Sequence, residues 1–280
     1  MGVVLGVDVG GSTTKIVIAQ SEKRVVDKLQ VHASDQATSL YGAIGNILAR
    51  NSLPLGEVDR IVLTGVGAEL VQDSLYEIPI FKVNEFEAIG WGGLMLSGLD
   101  NAIVVSMGTG TAFVRVQNGI AAHIGGSGVG GGTLLGLSAR LIGERDVDVI
   151  TSLAAAGDLQ NVDLSISDIS TTTIPSLPLK ATASNFGKIR NTASDADLAL
   201  GLLNMLYQTA GMLAVFACRS SDLKDVVVTG ALASLPQALP LLGEVGAMHN
   251  LNFVIPQNAT YATAMGAIAL YFQKMEQGIT

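Results

Sequence analysis

Residues 8–15 read DVGGSTTK and lie between two runs typical of β-strands, VVLGVDV at 3–9 and TTKIVIAQ at 13–20. A Rossmann or Walker A phosphate loop needs a helix directly after it, so the strand that follows here excludes both. The remaining prediction is a hairpin whose glycines let backbone N–H groups come close to an anion. An ordinary hairpin with a Gly-Gly turn is the alternative interpretation of these residues alone.

The side chains of this hairpin suit a nucleotide phosphate. Two hydroxyl groups and a lysine would add donors and a positive charge to the backbone N–H groups, and Asp8 at the strand end suits a hydrated Mg²⁺ ion. The predicted phosphate contacts are Gly10, Gly11, Ser12, Thr13 and Lys15.

The same pattern returns near residue 101, where AIVVSM, a glycine turn, TAFVRVQ and a short strand near 120–124 follow one another. The second turn reads SMGTGTAF at 106–113 and could hold a nucleotide from the opposite side. Its predicted phosphate contacts are Gly108, Thr109, Gly110 and Thr111. A repeated α/β unit predicts two lobes, 1–99 and 100–280, with a cleft between them.

Two further glycine segments follow the second turn. The segment VTGALA at 228–233 is a strand that runs into a turn, which places Gly230 beside the adenosine and α-phosphate. Residues 116–139 contain eight glycines and would make a poor helix, so most of this segment is interpreted as a loop system. A helix is expected to begin near residue 133.

Composition excludes several classes of protein. Sixteen Lys and Arg against 24 Asp and Glu leave a net charge of −8, the wrong sign for a nucleic-acid surface. A hydrophobic content of 49% excludes a disordered chain. The single cysteine, Cys218, cannot form an internal disulfide, and the N-terminus lacks a signal-peptide pattern, which predicts a cytoplasmic protein.

Residues 198–218 carry no formal charge and could cross a membrane by length alone. Polar residues such as Asn204 and Gln208 interrupt this segment and few Lys or Arg flank it, so we expect no membrane span. A buried central helix or a subunit interface is the preferred interpretation. Because so apolar a helix is hard to bury inside one lobe, a homodimer is expected.

Six motifs in the same order span the chain, namely DVGGSTTK, NEFEA, SMGTGT, GGSGVGGGTLLGL, DLSISDI and TASNFG. Together they resemble the type II pantothenate kinases, which are part of the superfamily of acetate kinases, sugar kinases, Hsp70 and actin. The resemblance implies an α/β fold of duplicated ribonuclease H-like, actin-like ATPase lobes, with ATP and Mg²⁺ as cofactors and a dimeric assembly. It implies transfer of the ATP γ-phosphoryl group to the primary hydroxyl of pantothenate, the first step of coenzyme A synthesis.

The resemblance places the general base on Glu85 in the NEFEA motif. A carboxylate there can accept the proton of the acceptor hydroxyl, whereas phosphoryl transfer otherwise needs positioning and charge neutralisation. Glu87 is the competing carboxylate, and in a helix two positions turn a side chain by about 200°, so both cannot face one site. Either acid could instead stabilise a helix N-terminus through the helix dipole.

The remaining predicted contacts come from the glycine run after residue 122 and from the TASNFG motif. The acceptor contacts are His123, Gly125, Gly126, Ser184 and Asn185, and the further nucleotide contacts are Gly130, Gly131 and Gly132. Members of the family that this chain resembles usually carry an arginine just before the glycine run, where this chain has His123. An imidazole is shorter than a guanidinium, cannot make its bidentate fork and is only partly charged near neutral pH.

The departure at His123 leaves several interpretations open. It could alter affinity or substrate, or another cation could replace the arginine, such as Arg140, Lys188 or Arg190. The alternative functions are a sugar kinase acting on a substrate such as N-acetylglucosamine, a nucleotide-dependent binding protein of the actin and Hsp70 type, or an ATP-binding sensor with weakened catalysis. The acid at Glu85 and the short chain, which leaves no room for a peptide-binding domain, argue against the binding protein.

Overall fold

The computed structural model of the chain describes residues 2–21, 24–32, 35–71, 73–170, 172 and 178–278. The elements of its first half are β1 (Val3–Val9), β2 (Thr13–Ser21), β3 (Arg24–His32), α1 (Gln36–Arg50), β4 (Val58–Thr64), β5 (Ser74–Leu75), β6 (Ile78–Lys82) and α2 (Glu85–Ser97). The strands form a six-stranded sheet with the order β3-β2-β1-β4-β6-β5. Strands β1 to β3 are antiparallel neighbours, and β4 runs parallel to both β1 and β6.

The second half forms a five-stranded sheet with the order β13-β12-β7-β8-β9, and a two-stranded sheet pairs β10 with β11. Its strands are β7 (Ala102–Met107), β8 (Thr111–Gln117), β9 (Ile120–Ser127), β10 (Leu164–Ser165), β11 (Thr182–Ser184), β12 (Asp225–Thr229) and β13 (Asn252–Val254). Its helices are α3 (Gly131–Leu141), α4 (Val147–Ala154), α5 (Ile166–Ile169), α6 (Asp195–Arg219), α7 (Ala238–His249) and α8 (Ala262–Glu276).

Both main sheets join an antiparallel three-stranded unit to parallel strands. In the second sheet β7, β8 and β9 are antiparallel neighbours, and β12 runs parallel to β7 and β13. The predicted duplicated α/β fold is therefore confirmed. All seven residues of β1 are buried, as expected for an apolar central strand covered on both faces.

The two halves exchange helices. Helix α2 comes from the first half but packs on β7, β8 and β9, whereas α8, from the end of the chain, packs on β1, β2 and β4. The two helices also cross each other closely, because a Cβ atom on Gly92 would overlap the carbonyl oxygen of Ala262 and one on Gly266 would overlap that of Ala88. The strands of the first sheet all end by Lys82 and those of the second begin at Ala102, whereas α2 and α8 each pack on the sheet of the other half.

Helix α6 contains the long apolar segment singled out in the sequence. By length and composition it could cross a membrane, but 61% of its most apolar 18-residue stretch is buried within the protein. Its inner face, including Leu202, Leu203 and Tyr207, joins the core of the second half. One lobe therefore buries most of this helix, which removes the reason given above for expecting a dimer. Burial also raises the pKa of the Cys218 thiol to about 11, so this cysteine is a core residue.

The glycine-rich segment 116–139 is more regular than the predicted loop system. Strand β9 continues through Gly125 and Gly126 to Ser127, and α3 already begins at Gly131. Pairing with β8 supplies the hydrogen bonds that hold these glycines in a strand. Within this segment the irregular backbone outside the β8–β9 turn is confined to residues 128–130.

Candidate nucleotide and acceptor site

A cleft of about 650 Å³ separates the β1–β2 hairpin from the β7–β8 hairpin. Predicted residues that line it are Asp8, Gly10, Gly11, Ser12, Thr13, Lys15, Glu85, Gly108, Thr109, Gly110, Thr111, His123, Gly126, Gly131 and Gly132. Predicted residues outside its lining are Gly125, Gly130, Ser184, Asn185 and Gly230. The structure therefore brings both hairpins and the predicted base to one site.

The first hairpin is closed by a hydrogen bond from the Gly10 N–H to the Thr13 carbonyl oxygen at 3.0 Å. The Gln36 side chain at the start of α1 donates to the Gly10 carbonyl oxygen at 3.1 Å and so links the turn to α1. A Cβ atom on Gly11 would meet no atom within 4 Å, so the tip of the turn is open. This is the space that a phosphate group needs in order to reach backbone N–H groups.

The second hairpin faces the first at hydrogen-bonding distance. Its turn is closed by the Gly108 N–H donating to the Gly110 carbonyl oxygen at 2.9 Å. The Ser12 and Thr109 hydroxyl groups, one from each hairpin, lie 2.7 Å apart and hydrogen-bond to each other. The two sets of predicted phosphate donors therefore meet across the cleft.

An ion pair on the first hairpin and a glutamate on α2 carry the charge on this side of the cleft. Asp8 and Lys15 occupy opposite positions on β1 and β2, are both buried, and approach to 3.4 Å between Asp8 Oδ2 and Lys15 Nζ. Burial raises the pKa of Asp8, and the Lys15 charge opposes that rise. Glu85 lies close enough that burial first, and then the Asp8 charge, raise its pKa, while Lys15 lowers it.

Helix α2 presents Glu85 to the cleft through an N-terminal cap. Asn84 accepts hydrogen bonds from the N–H groups of Phe86 and Glu87 at 3.0 and 3.2 Å, so that Glu85 becomes the first residue of the helix. Glu85 lines the cleft and Glu87 does not. Glu85 is half-buried, and a half-buried carboxylate with a raised pKa in a cleft has the character of a general base or acid.

The loop 128–130 is held by side chains of its neighbours. The Thr111 hydroxyl donates to the Val129 carbonyl oxygen at 2.8 Å, and the Thr133 hydroxyl donates to that of Gly128 at 3.0 Å. The N–H groups of Gly131 and Gly132 donate to the carbonyl oxygens of Gly108 and Thr109 at 2.8 and 2.9 Å. These two N–H groups therefore brace the second hairpin, and their predicted contact with phosphate stays a prediction.

Gly230 lies at the end of β12, where the chain turns into the cleft wall. Its φ of +90° and a distance of 2.5 Å from an added Cβ to the Met107 carbonyl oxygen require glycine at this position. The following residues, Ala231 and Leu232, line the cleft. The Tyr207 hydroxyl of α6 donates to the Leu232 carbonyl oxygen at 2.7 Å, which fixes this wall to the core.

His123 is exposed on β9 and stacks on Phe86, with ring centroids 3.8 Å apart and an angle of 15° between the ring planes. The cations considered as replacements for the missing arginine, namely Arg140, Lys188 and Arg190, do not line the cleft. Lys188 instead pairs with Asp168 at 2.5 Å and lowers the pKa of that carboxyl.

Asn185 belongs to a separate polar cluster around Asp163, and Ser184 lies beside it on β11, paired with Leu164 of β10. Asn185 Nδ2 lies 3.4 Å from the Asp163 carboxylate, and the buried Asn204 donates to the same carboxylate at 2.7 Å. Asn204 of α6 also donates to the Thr182 hydroxyl of β11 at 3.2 Å, so the cluster links β11 to α6. The acceptor contacts predicted at Ser184 and Asn185 stay predictions.

Sequence reasoning missed several residues of the cleft wall. His32 pairs with Thr13 across β2 and β3, which brings it beside the first hairpin, and Gln30 and Thr263 also line the cleft. The hairpin register could have identified His32, because it follows from the two strand patterns. The place of Thr263 depends on the exchange of α8 between the halves, which no local pattern reveals.

A second, larger cavity of about 1200 Å³ lies between the α6–α7 pair and the segments around β10 and β11. Asp163, Thr182 and Gln208 contribute polar groups to its wall, but none of the predicted catalytic or nucleotide residues lines it. The cleft between the hairpins is the smaller of the two spaces, but it holds the predicted base and the predicted nucleotide contacts.

Comparison with known proteins gives a family and near full-length relatives. The family model described as Fumble matches residues 101–242, just over half of the chain. The type II pantothenate kinase of Staphylococcus haemolyticus is 26% identical, and the match covers 95% of this chain and 99% of the relative. That of Bacillus cereus strain G9842 is also 26% identical, and the match covers 94% and 97%.

Similar solved structures support the fold. The activator of the 2-hydroxyisocaproyl-CoA dehydratase from Clostridium difficile, with bound ADPNP, matches 99% of this chain and 96% of its own at a TM-score of 0.71 and 15% identity. A ROK family glucokinase from Streptomyces griseus, in complex with glucose and AMPPNP, matches 97% and 100% at a TM-score of 0.61 and 14% identity. At these identities the likeness extends to the backbone architecture alone.

Proposed function

The chain belongs to the Fumble family, and we propose that it transfers the γ-phosphoryl group of ATP to the primary hydroxyl of pantothenate. The observation that carries the proposal is the position of Glu85, which lines one cleft together with both phosphate hairpins and the Asp8–Lys15 pair. The near full-length similarity to type II pantothenate kinases supports pantothenate as the acceptor. The product would enter coenzyme A synthesis, and we expect the protein to act in the cytoplasm.

The chain's own residues divide the work of the reaction. Backbone N–H and hydroxyl groups of the two hairpins would hold the phosphates in line with the acceptor, which supplies much of the catalysis in phosphoryl transfer. The Glu85 carboxylate would accept the proton of the acceptor hydroxyl as the oxygen bonds to phosphorus. Its raised pKa makes it a stronger base than an ordinary glutamate.

The residues present also fit magnesium. Asp8 offers one buried carboxylate, and the described residues contain no group of three metal-ligating side chains, so phosphate oxygens and water would complete the coordination that Mg²⁺ prefers. When bound, Mg²⁺ would offset the charge on the phosphates. Lys15 would then share Asp8 with the hydrated ion.

We also infer a homodimer as the assembly. The family resemblance implies one, and α6 and α7 leave apolar side chains exposed at Leu213, Phe216 and Leu239. These residues support a subunit contact on the outer side of the second half.

A substrate panel tests the proposed function. Purified protein with Mg-ATP is offered pantothenate, N-acetylglucosamine and other amino sugars, and ADP release is measured for each acceptor. We expect turnover that depends on pantothenate. Turnover with an amino sugar alone would replace pantothenate kinase by sugar kinase, and binding of ATP without any acceptor-dependent turnover would favour a nucleotide-dependent binding protein.

A further inference from the structure

A buried threonine hydroxyl lies beside Asp8 without a partner. Thr64, the last residue of β4, is fully buried, and its hydroxyl oxygen makes no hydrogen bond to any residue that the structure describes. Buried hydroxyl groups are nearly always hydrogen-bonded, because an unpaired one has lost its hydrogen bonds to water and gained none in return. The unpaired hydroxyl of Thr64 therefore calls for a functional explanation.

The strand register brings Thr64 to Asp8. The two residues are partners on the parallel strands β1 and β4. Their face of the sheet is the one covered by α8, because Val4 and Val62, an even number of positions away on the same strands, pack in one cluster with α8. A Cβ atom on Gly65, the next residue, would lie 2.8 Å from Asp8 Oδ1. The Oδ1 atom is therefore on the β4 side of the carboxylate, next to Thr64.

The two oxygens of the Asp8 carboxylate differ in their partners. Oδ2 accepts a hydrogen bond from Lys15 at 3.4 Å, and among the described residues Lys15 alone hydrogen-bonds to this carboxylate. A carboxylate oxygen can accept about two hydrogen bonds, so Oδ1 has room for the Thr64 hydroxyl and for a water molecule of a hydrated ion. Hydrogen bonds of this kind orient a carboxylate toward a metal ion.

We propose that Thr64 is a positioning residue for the magnesium site, and that its hydroxyl donates to Asp8 Oδ1 when the magnesium nucleotide is bound. The inference rests on the proposed function, because Asp8 is the residue proposed there to hold hydrated Mg²⁺. The carboxylate is then held from both sides, by the Lys15 ammonium group from β2 and by the Thr64 hydroxyl from β4. In the free protein the unpaired hydroxyl lowers stability, and the bound state removes that penalty.

The second half of the chain offers a matched control. Thr229 ends β12 as Thr64 ends β4, is fully buried, and has a hydroxyl without a partner among the described residues. A glycine with φ of +90° follows each threonine. The partner of Thr229 on β7 is Ser106, which carries no charge. The repeat therefore contains the same threonine with and without a carboxylate beside it.

Calorimetry of nucleotide binding tests the role of Thr64 without any turnover. The affinity for the ATP analogue AMPPNP is measured with and without Mg²⁺ for the wild type and for three variants, Thr64→Val, Thr64→Ser and Thr229→Val. For Thr64→Val we expect the gain in affinity due to Mg²⁺ to fall about tenfold, while the affinity without Mg²⁺ changes less than about twofold. Thr64→Ser keeps the hydroxyl and Thr229→Val leaves the surroundings of Asp8 intact, so both should retain the gain.

Thermal unfolding of the free protein separates positioning from a structural role. Valine has nearly the shape of threonine but lacks the hydroxyl, so Thr64→Val and Thr229→Val each remove an unpaired buried group and should leave Tm unchanged or raise it. If the Thr64 hydroxyl made a structural hydrogen bond, Thr64→Val would instead lower Tm, and it would weaken nucleotide binding equally with and without Mg²⁺. That result would overturn the inference.

The remaining outcomes separate the two proposals. A Thr64→Val variant that keeps the full gain due to Mg²⁺, or a Thr64→Ser variant that loses as much of it as Thr64→Val, would overturn the inference and leave the proposed function standing. Folded wild-type protein whose affinity for AMPPNP does not depend on Mg²⁺ would also overturn the inference. If the Thr64 effect is found but ADP release does not depend on pantothenate, the proposed function alone is overturned.

Discussion

The two hairpins of the cleft have similar backbones but differ in charge. Asp8 faces Lys15 across β1 and β2, whereas the matching positions across β7 and β8 are Ser106 and Ala112. The reciprocal contacts of Gly92 with Ala262 and of Gly266 with Ala88 make Ala88 and Ala262 equivalent in the repeat. The position in the second half that is equivalent to Glu85 is then Ala259. The repeat thus provides backbone donors twice, but its acids and its lysine occur only in the first half.

Because the acids occur only in the first half, we expect the largest loss of activity from a substitution at Glu85. We expect Glu85→Gln to lower kcat at least about 10³-fold, because the amide cannot accept the proton of the acceptor hydroxyl. Glu87→Gln is the matched control, since it removes the same charge one residue beyond Phe86 and outside the cleft. Equal activity of the two variants would contradict the assignment of the base.

The pH dependence of activity and of stability gives a second test of Glu85 as the base. Because the Glu85 pKa lies above its ordinary value of 4.5, activity should fall on the acid side at a higher pH than an exposed glutamate would give. A raised pKa in the folded state means that stability falls as pH rises from the unfolded pKa to the folded one. Glu85→Gln should therefore show an unchanged or higher Tm at pH 7, and a lower Tm would argue against buried charge at this position.

Two glycines at equivalent strand ends, Gly65 and Gly230, test whether the two halves have the same backbone requirement. Gly65 and Gly230 each follow a buried threonine at the end of a strand, each with φ of +90°, and an added Cβ would lie 2.7 Å from the Val9 and 2.5 Å from the Met107 carbonyl oxygen. We expect Gly65→Ala and Gly230→Ala each to lower the free energy of unfolding by about 3 kcal/mol. Urea denaturation provides the measurement.

The control for these glycines is Gly45 in α1, where an added Cβ would meet nothing within 4 Å. Gly45→Ala should stabilise the protein by about 0.5–1 kcal/mol, because alanine is the better helix former. If one of the two strand-end variants behaved like Gly45→Ala, the equivalence of the two halves would fail at that position.

The smallest effect is expected where the two hairpins touch. Ser12→Ala and Thr109→Ala each remove one partner of the same hydroxyl–hydroxyl hydrogen bond, and each should cost about 0.5–1 kcal/mol of unfolding free energy. Because the bond is shared, the double variant should cost little more than either single one. Fully additive losses in urea denaturation would show that the two hydroxyls act independently.

Local patterns were sufficient to predict the parts of the fold that repeat. The strand runs around DVGGSTTK and SMGTGTAF predicted both hairpins, and the family resemblance placed the candidate base on Glu85. Regular backbone through Gly125 and Gly126 was missed because glycine has low strand propensity, and only pairing with β8 overrides it.

Long-range contacts account for what could not be predicted. The Asp8–Lys15 pair follows from hairpin register, but its proximity to Glu85 depends on how α2 leaves its own sheet. The stacking of His123 on Phe86 likewise joins β9 to α2, which belong to different halves of the repeat. Such contacts depend on tertiary packing, and no periodicity in the sequence predicts them.

The crossing of α2 and α8 has a consequence for how the chain folds and how it can be engineered. The last helix of each half packs on the sheet of the other half. Cutting the chain between residues 99 and 100 would therefore leave one face of each sheet uncovered. The two halves must then form their cores together, in one cooperative transition rather than in two successive ones. We therefore expect neither half to fold when it is expressed without the other.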